Sequence, residues 1–189
     1  MVACYMASPK NIPGWSLIQN LWLFCYVTLS CIGMALKLLI FVPKLLHHKT
    51  QIIMYPEELV KPMREDLTRI GFSELLTVED VKYALSKEGT TLVVVNSVCG
   101  CAAANARPGA RLSLQNAKKP DHLTTVFAGM EVDAVNAARA EMVPFPPSSP
   151  SMALFKDGEL VHMLERHHIE GRSAELIAEN LKSAYDEYC

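Results

Sequence analysis

Leu92 to Val95 is a short apolar block rich in β-branched residues, and it runs directly into Cys99-Gly100-Cys101 and then three alanines. Few architectures accept such a junction. A continuous apolar block of this length suits a central strand covered on both faces. Ala102, Ala103 and Ala104 are strong helix formers. The cysteines therefore fall where a buried strand ends and a helix begins. The first turn of a helix leaves N–H groups unpaired and carries roughly half a positive charge. A thiolate there is stabilised and becomes a usable nucleophile near neutral pH. A second thiol two positions on is placed to attack a mixed disulfide formed on the first. The junction thus points to thiol–disulfide chemistry within an α/β fold.

Cysteine usage agrees. Of six cysteines, Cys4, Cys25 and Cys31 lie in the first 53 residues and only Cys99, Cys101 and Cys189 lie beyond them. That is not the pattern of a disulfide scaffold; it fits a catalytic pair in a reducing, cytoplasmic setting. Two other readings stay open: a pair of structural cysteines, or two ligands of a metal site that Cys189 and His167 would have to complete. Because a Cys-x-Cys disulfide closes a very small ring, strain is expected to make it easily reduced. That suits a carrier, an isomerase or a mild oxidant better than a strong reductant.

Charge divides the chain. Residues 1–53 hold four lysines and no acid, whereas residues 54–189 hold all twenty acids beside fourteen Lys and Arg. Nothing there resembles a basic nucleic-acid footprint. Leu21 to Val42 is an apolar run broken only by Lys37, long enough to span a membrane. Three readings of it are open. It is a signal-anchor whose cytoplasmic side is marked by Lys44 and Lys49, a cleaved secretory signal, or the translation of a start placed upstream of a true start at Met54. On the first reading, residues 21–42 would tether the cytoplasmic domain to a membrane.

From Met54 the pattern is globular. Pro56, Glu57 and Glu58 open a helix that Leu59, Met63, Leu67 and Ile70 continue, with Gly71 as its stop and Pro62 as a kink or a delayed start. Thr77 and Asp80 form a helix cap, and that helix reaches Gly89. A strand over 91–97 follows, then a helix from Cys101 to about Asn116, bent by Pro108. A strand over 123–128, a helix over 132–142 and a proline-dense irregular stretch over 144–150 come next. Strands over 151–156 and 159–164 are joined by the turn Asp157-Gly158. A loop carrying Arg166, His167 and His168 leads to a last helix over 174–188. A short extra strand is possible within 72–76. Parallel strands linked by helices, then an antiparallel hairpin and a closing helix, make an α/β sandwich with a mixed sheet.

Ser149-Pro150-Ser-Met-Ala-Leu-Phe-Lys-Asp-Gly-Glu159 resembles the thioredoxin segment that runs from a cis-proline into the closing hairpin. The resemblance implies a thioredoxin-like three-layer sandwich in which Pro150 is cis and faces the cysteines, and the backbone beside it, at Ser149, pairs with a client chain. The single-residue gap between the cysteines departs from the usual thioredoxin spacing and points to a narrower group. Asn96-Ser-Val-Cys-Gly-Cys-Ala-Ala, Ala106-Arg-Pro, Val126-Phe-Ala-Gly, Pro147-Ser-Ser-Pro-Ser-Met, and Arg166-His167 with Ile169-Glu-Gly together resemble the bacilliredoxins. The resemblance covers residues 54–189. It implies an enzyme that removes bacillithiol or a similar small thiol from S-thiolated client proteins, with disulfide isomerase activity also associated with the family. Cys99 would attack, Cys101 would resolve, and the small thiol would be a co-substrate, with no tightly bound cofactor or metal. Arg107 is a candidate cation for a carboxylate of the small thiol, or else a surface ion pair. Asn96 either contacts the same ligand or satisfies the strand end. Arg166 and His167 are candidates to reach the site from the last loop. A non-catalytic binding or metal-carrying module of the same shape is the alternative from another class.

Overall fold

The computed structural model describes residues 54–189. Helix α1, Glu57–Thr68, starts where Pro56 and two acidic residues place it and runs through Pro62 rather than beginning after it. The turn that follows it closes at Gly71, whose φ of 101° is open to glycine at little cost. A two-residue strand, β1 (Ser73–Glu74), follows. Helix α2, Val78–Leu85, is capped by Thr77, whose hydroxyl accepts from the Asp80 N–H at 3.1 Å while the Asp80 carboxylate accepts from the Thr77 N–H at 2.9 Å. Thr77→Ala is expected to cost about 1 kcal/mol of stability, read as a lower urea midpoint with an unchanged slope.

Strand β2, Thr90–Asn96, is buried along its whole length. It lies at the centre of a five-stranded sheet of order β1-β3-β2-β4-β5. Strand β3, His122–Phe127, is parallel to β1 and β2. Strands β4, Ser151–Lys156, and β5, Glu159–Leu164, close the sheet in antiparallel fashion. Side chains alternate across a strand, so the apolar block feeds two cores. Leu92 and Val94 join Leu67, Leu154, Ile177 and Tyr185 on one face. Val93 and Val95 join Val126, Ala138 and Phe155 on the other. Two buried threonines on β3 return their hydroxyls to the sheet, Thr124 to the Leu92 carbonyl and Thr125 to that of Val94, each at 2.9 Å. The β4–β5 turn has Asp157 at φ 51° and Gly158 at φ 84°, the two left-handed residues of the favoured hairpin turn.

After the cysteines the chain forms a π-helical turn, Ala102–Ala106, that continues as α3, Arg107–Ser113. Helix α4 is Val132–Ala140, and α6, Ala174–Tyr188, packs along α3. The loop expected at 165–171 instead holds one short helix, α5, Arg166–Ile169. Helices α3 and α4 stop short of the expected ends, because terminal residues leave the helical path before the apolar pattern fades.

Helices on both faces of a mixed sheet with this strand order form a thioredoxin-like three-layer sandwich. Among the described residues, no helix is long and apolar enough to cross a membrane. The apolar run at 21–42 lies outside the described residues.

Candidate active site

The site forms where β2 ends. Ser97 and Val98 leave the strand, and the helix begins at Gly100. The Cys99 carbonyl accepts from the N–H groups of Ala102 and Ala103 at 3.1 and 3.2 Å. Cys99 and Cys101 are both free thiols and half-buried. The π turn has a local cause. Pro108 has no N–H, and its ring would press on the carbonyl of residue 104 in a regular helix. The Arg107 N–H instead bonds back to the Ala102 carbonyl, which widens the turn just ahead of the proline. The irregularity expected at Pro108 takes the form of this widened turn just before it.

The two thiols are pushed in opposite directions. Burial works against a Cys99 thiolate. Hydrogen bonds from the Cys101 thiol, the Ser97 hydroxyl and the Ala102 N–H, with the charge of Arg166, outweigh it and hold Cys99 below an ordinary thiol. Burial and the neighbouring Cys99 push Cys101 up. The pair is thus electronically unequal: the thiolate is favoured on Cys99 and disfavoured on Cys101.

Opposite the cysteines stands the loop 143–150. Its Ser149–Pro150 peptide is cis, as the sequence pattern predicts, and so is Val143–Pro144, which it does not predict. Ser151, the next residue, pairs with Val95 across the sheet, so Pro150 is held beside the end of β2. Arg166 ties this loop down. Its Nη1 donates to the Ser149 carbonyl at 3.0 Å, its backbone N–H donates to Ser148 Oγ at 3.3 Å, and its Nε donates to Glu170 at 3.1 Å.

Arg107 is placed differently from either expectation. It is 4% exposed, so it is neither a free arm for a ligand carboxylate nor a surface ion pair. Its Nε donates to Asp66 Oδ2 at 2.9 Å, and its Nη1 donates to Asn96 Oδ1 at 3.1 Å and to the Ser97 carbonyl at 3.2 Å. Asn96 is buried too. Its amide donates to the Met63 carbonyl at 3.0 Å, and its Oδ1 also accepts from the Ser97 N–H at 2.9 Å. Both residues brace the strand end. The cation that the thiols feel is Arg166.

His167 is exposed, with Nδ1 3.9 Å from Glu165 and its ring 3.7 Å from that of His168. Glu165, His167 and His168 bring potential metal-ligand atoms within 4.8 Å of one another. His168 Nδ1 is engaged there, accepting from the Glu165 N–H at 3.2 Å. Burial, and then His167, hold His168 below an ordinary histidine. Cys189 belongs to the other end of the sheet. The residue before it accepts a hydrogen bond from Lys156 Nζ at 2.9 Å, and Lys156 pairs with Thr90 at the start of β2. The length of β2, roughly 20 Å at about 3.3 Å per residue, separates that end from Cys99.

Comparison with known proteins follows the same lines. A family model described as "Disulphide isomerase" matches residues 55–189. A protein named bacilliredoxin from Cytophaga hutchinsonii is 60% identical over 134 residues, covering 71% of this chain and 99% of its own. A bacilliredoxin from Halalkalibacterium halodurans is 57% identical over 136 residues, covering 71% and 94%. Among solved structures, "a putative oxidoreductase with a thioredoxin fold" superposes with a TM-score of 0.45 at 17% identity, covering 56% of this chain and 89% of its own.

Proposed function

The chain belongs to the bacilliredoxin family and acts as a thiol–disulfide oxidoreductase, and from that premise we propose that it removes bacillithiol, or a small thiol like it, from mixed disulfides on client proteins. The observation that carries this reading is the inequality of the two thiols. Cys99 collects hydrogen-bond donors and the field of Arg166, which favour its thiolate, while burial and Cys99 itself disfavour a thiolate on the adjacent Cys101. The Cys99 thiolate attacks the small-thiol sulfur of the mixed disulfide. A new S–S bond forms, the old one breaks, and the client leaves as a thiolate. Cys101 then gives up its proton and attacks Cys99, releasing the small thiol as a thiolate and leaving a Cys99–Cys101 disulfide. Alternatively a second small thiol attacks the bound one, and Cys99 leaves as a thiolate. Backbone beside cis-Pro150 at Ser149 is the docking edge for the client, and Arg166 holds that edge in place. We read residues 54–189 as the catalytic domain.

The test is direct. A client carrying bacillithiol on one cysteine is mixed with the reduced protein, and intact masses are followed. The expected result is loss of the adduct mass from the client, with the small thiol set free and the Cys99–Cys101 peptide recovered as its disulfide. An adduct that stays on the client sinks this reading. The family description also fits isomerase work, and reactivation of a scrambled disulfide protein measures it in parallel.

The rate carries a pH signature. The reactive form is the thiolate, and Cys99 titrates below an ordinary thiol. Reactivity is therefore low in acid and rises through a Cys99 midpoint that lies below that of an ordinary thiol. Replacing Arg166 by Gln removes the facing charge and is expected to move that rise to higher pH, as followed by the alkylation rate of Cys99.

A further inference from the structure

Ser97 is 7% exposed, and its backbone is fixed at both polar atoms. Its N–H is held by Asn96 Oδ1 and its carbonyl by Arg107 Nη1. The hydroxyl is left free of those contacts and lies 3.2 Å from Cys99 Sγ. Arg107 is in turn held by Asp66 and Asn96, so a chain of contacts runs from α1 through α3 to the sulfur.

We propose that Ser97 is a catalytic residue of the Cys99 centre, donating its hydroxyl hydrogen to the thiolate, and that Asp66 and Arg107 are positioning residues acting through it. This rests on the thiol-exchange reading above. A thiol Cys99 leaves the donor role open, because either group then carries a hydrogen. A thiolate can only accept, so the hydroxyl turns its hydrogen to sulfur and the bond becomes charge-assisted. The contact is thus strongest in the charged state. It acts twice in the cycle. Before attack, it raises the fraction of Cys99 present as thiolate. When an incoming small thiolate attacks the sulfur bound to Cys99, the new S–S bond forms, the Cys99–sulfur bond breaks, and the electron pair stays on the Cys99 sulfur, to which the hydroxyl donates its hydrogen bond. No oxidant is consumed beyond the disulfide itself. A thiol that forms its thiolate more readily also leaves faster.

The groups around Cys99 let the test isolate this contact. Cys101 and Arg166 also favour its thiolate and stay intact in every variant below. The full chain is reduced and alkylated with iodoacetamide across pH, and the rate at Cys99 is read by peptide mass spectrometry. Ser97→Ala is expected to move the midpoint upward, with about tenfold less thiolate below it, the size of a hydrogen bond to a charged group. Ser97→Thr keeps the hydroxyl and restores most of the shift. Arg107→Lys keeps the charge but loses the fork that holds the Ser97 carbonyl; it moves the midpoint up in the parent and adds nothing to Ser97→Ala.

An unchanged midpoint in Ser97→Ala overturns the proposal, as does an equal shift in Ser97→Thr with both variants folded by circular dichroism. Should the threonine variant fail to fold, the alanine variant and the double-variant comparison decide between the outcomes. An Arg107→Lys shift that is the same with and without Ser97 removes the positioning role. Alkylation needs no client, so a failure of client release in the parent protein refutes the function above without touching this result.

Discussion

Serine in place of Cys99 is expected to abolish transfer of the small thiol from a client, and serine in place of Cys101 to trap that thiol on Cys99. These opposite outcomes follow from the unequal pair. Without Cys99 the thiol whose thiolate is favoured is gone, burial still opposes ionisation of Cys101, and the rate is expected to fall to that of uncatalysed exchange. Without Cys101 the first step is intact, but the intramolecular resolution is lost. In the absence of added small thiol, one adduct per chain accumulates on Cys99; added small thiol then clears it through the intermolecular route. Cys101 has a second duty, since its S–H donates to the Cys99 sulfur. Cys101→Ala, which lacks any donor, is therefore expected to react with a higher pH midpoint than Cys101→Ser. Peptide mapping of the trapped species decides the roles. An adduct found on Cys101 reverses the assignment.

Tyr185→Ala is expected to be the largest loss of stability among single substitutions remote from the thiols. Tyr185 has no exposed surface and sits in the core between α6 and the sheet. Its hydroxyl lies 3.0 Å from Ser113 Oγ. Ser113 spends its own hydrogen on the Ala110 carbonyl at 2.8 Å, so the phenol is the donor. Burial pushes the phenol's ionisation far up, and it stays neutral. Truncation removes an aromatic ring from a packed site and leaves a cavity, a loss of about 3–5 kcal/mol. Tyr185→Phe removes only the hydrogen bond and is expected to cost about 1 kcal/mol. Urea unfolding followed by circular dichroism measures both. A cost for Tyr185→Ala no larger than that of Tyr185→Phe would mean that the site collapses around the lost ring. The pH midpoint of Cys99 alkylation is expected to hold in both variants while they remain folded, since Tyr185 touches none of the groups that set it.

The same seam shows how closely α3 and α6 approach. A Cβ built at Gly109 would lie 2.7 Å from Ile177 Cγ2. The small residues after the cysteines therefore serve two neighbours: alanines meet the sheet, and Gly109 admits α6.

Much of this was readable from local chemistry. The β-branched block announced a strand covered on both faces, because its neighbours alternate into two cores. Thr77 and Asp80 announced a cap through contacts only three residues apart. Asp157-Gly158 announced a turn that needs two left-handed residues. The spacing of Cys99 and Cys101 placed two thiols at one helix start. Each of these rests on residues adjacent in the chain, where bond geometry and short-range hydrogen bonding set the outcome.

The two arginines mark the limit. Both are single cations flanking redox motifs, and nothing in their immediate neighbours separates them. Folding turned Arg107 inward onto Asp66, Asn96 and Ser97 and brought Arg166 beside the thiols. The widened helical turn before Pro108 carries one and the short helix at 166–169 the other, and the partners each reaches lie on segments far apart in the chain. Ser97 lies in the same class. A serine at a strand end is unremarkable until the contacts of a buried arginine fix its backbone and leave its hydroxyl aimed at sulfur. The sequence by itself determined the sheet, the turns and the pair of thiols, because these follow from periodicity and local geometry. Which thiol ionises the more readily, and which side chains make it so, was decided by the tertiary structure, because electrostatic and hydrogen-bond energies depend on separations of a few ångströms between residues far apart in the chain.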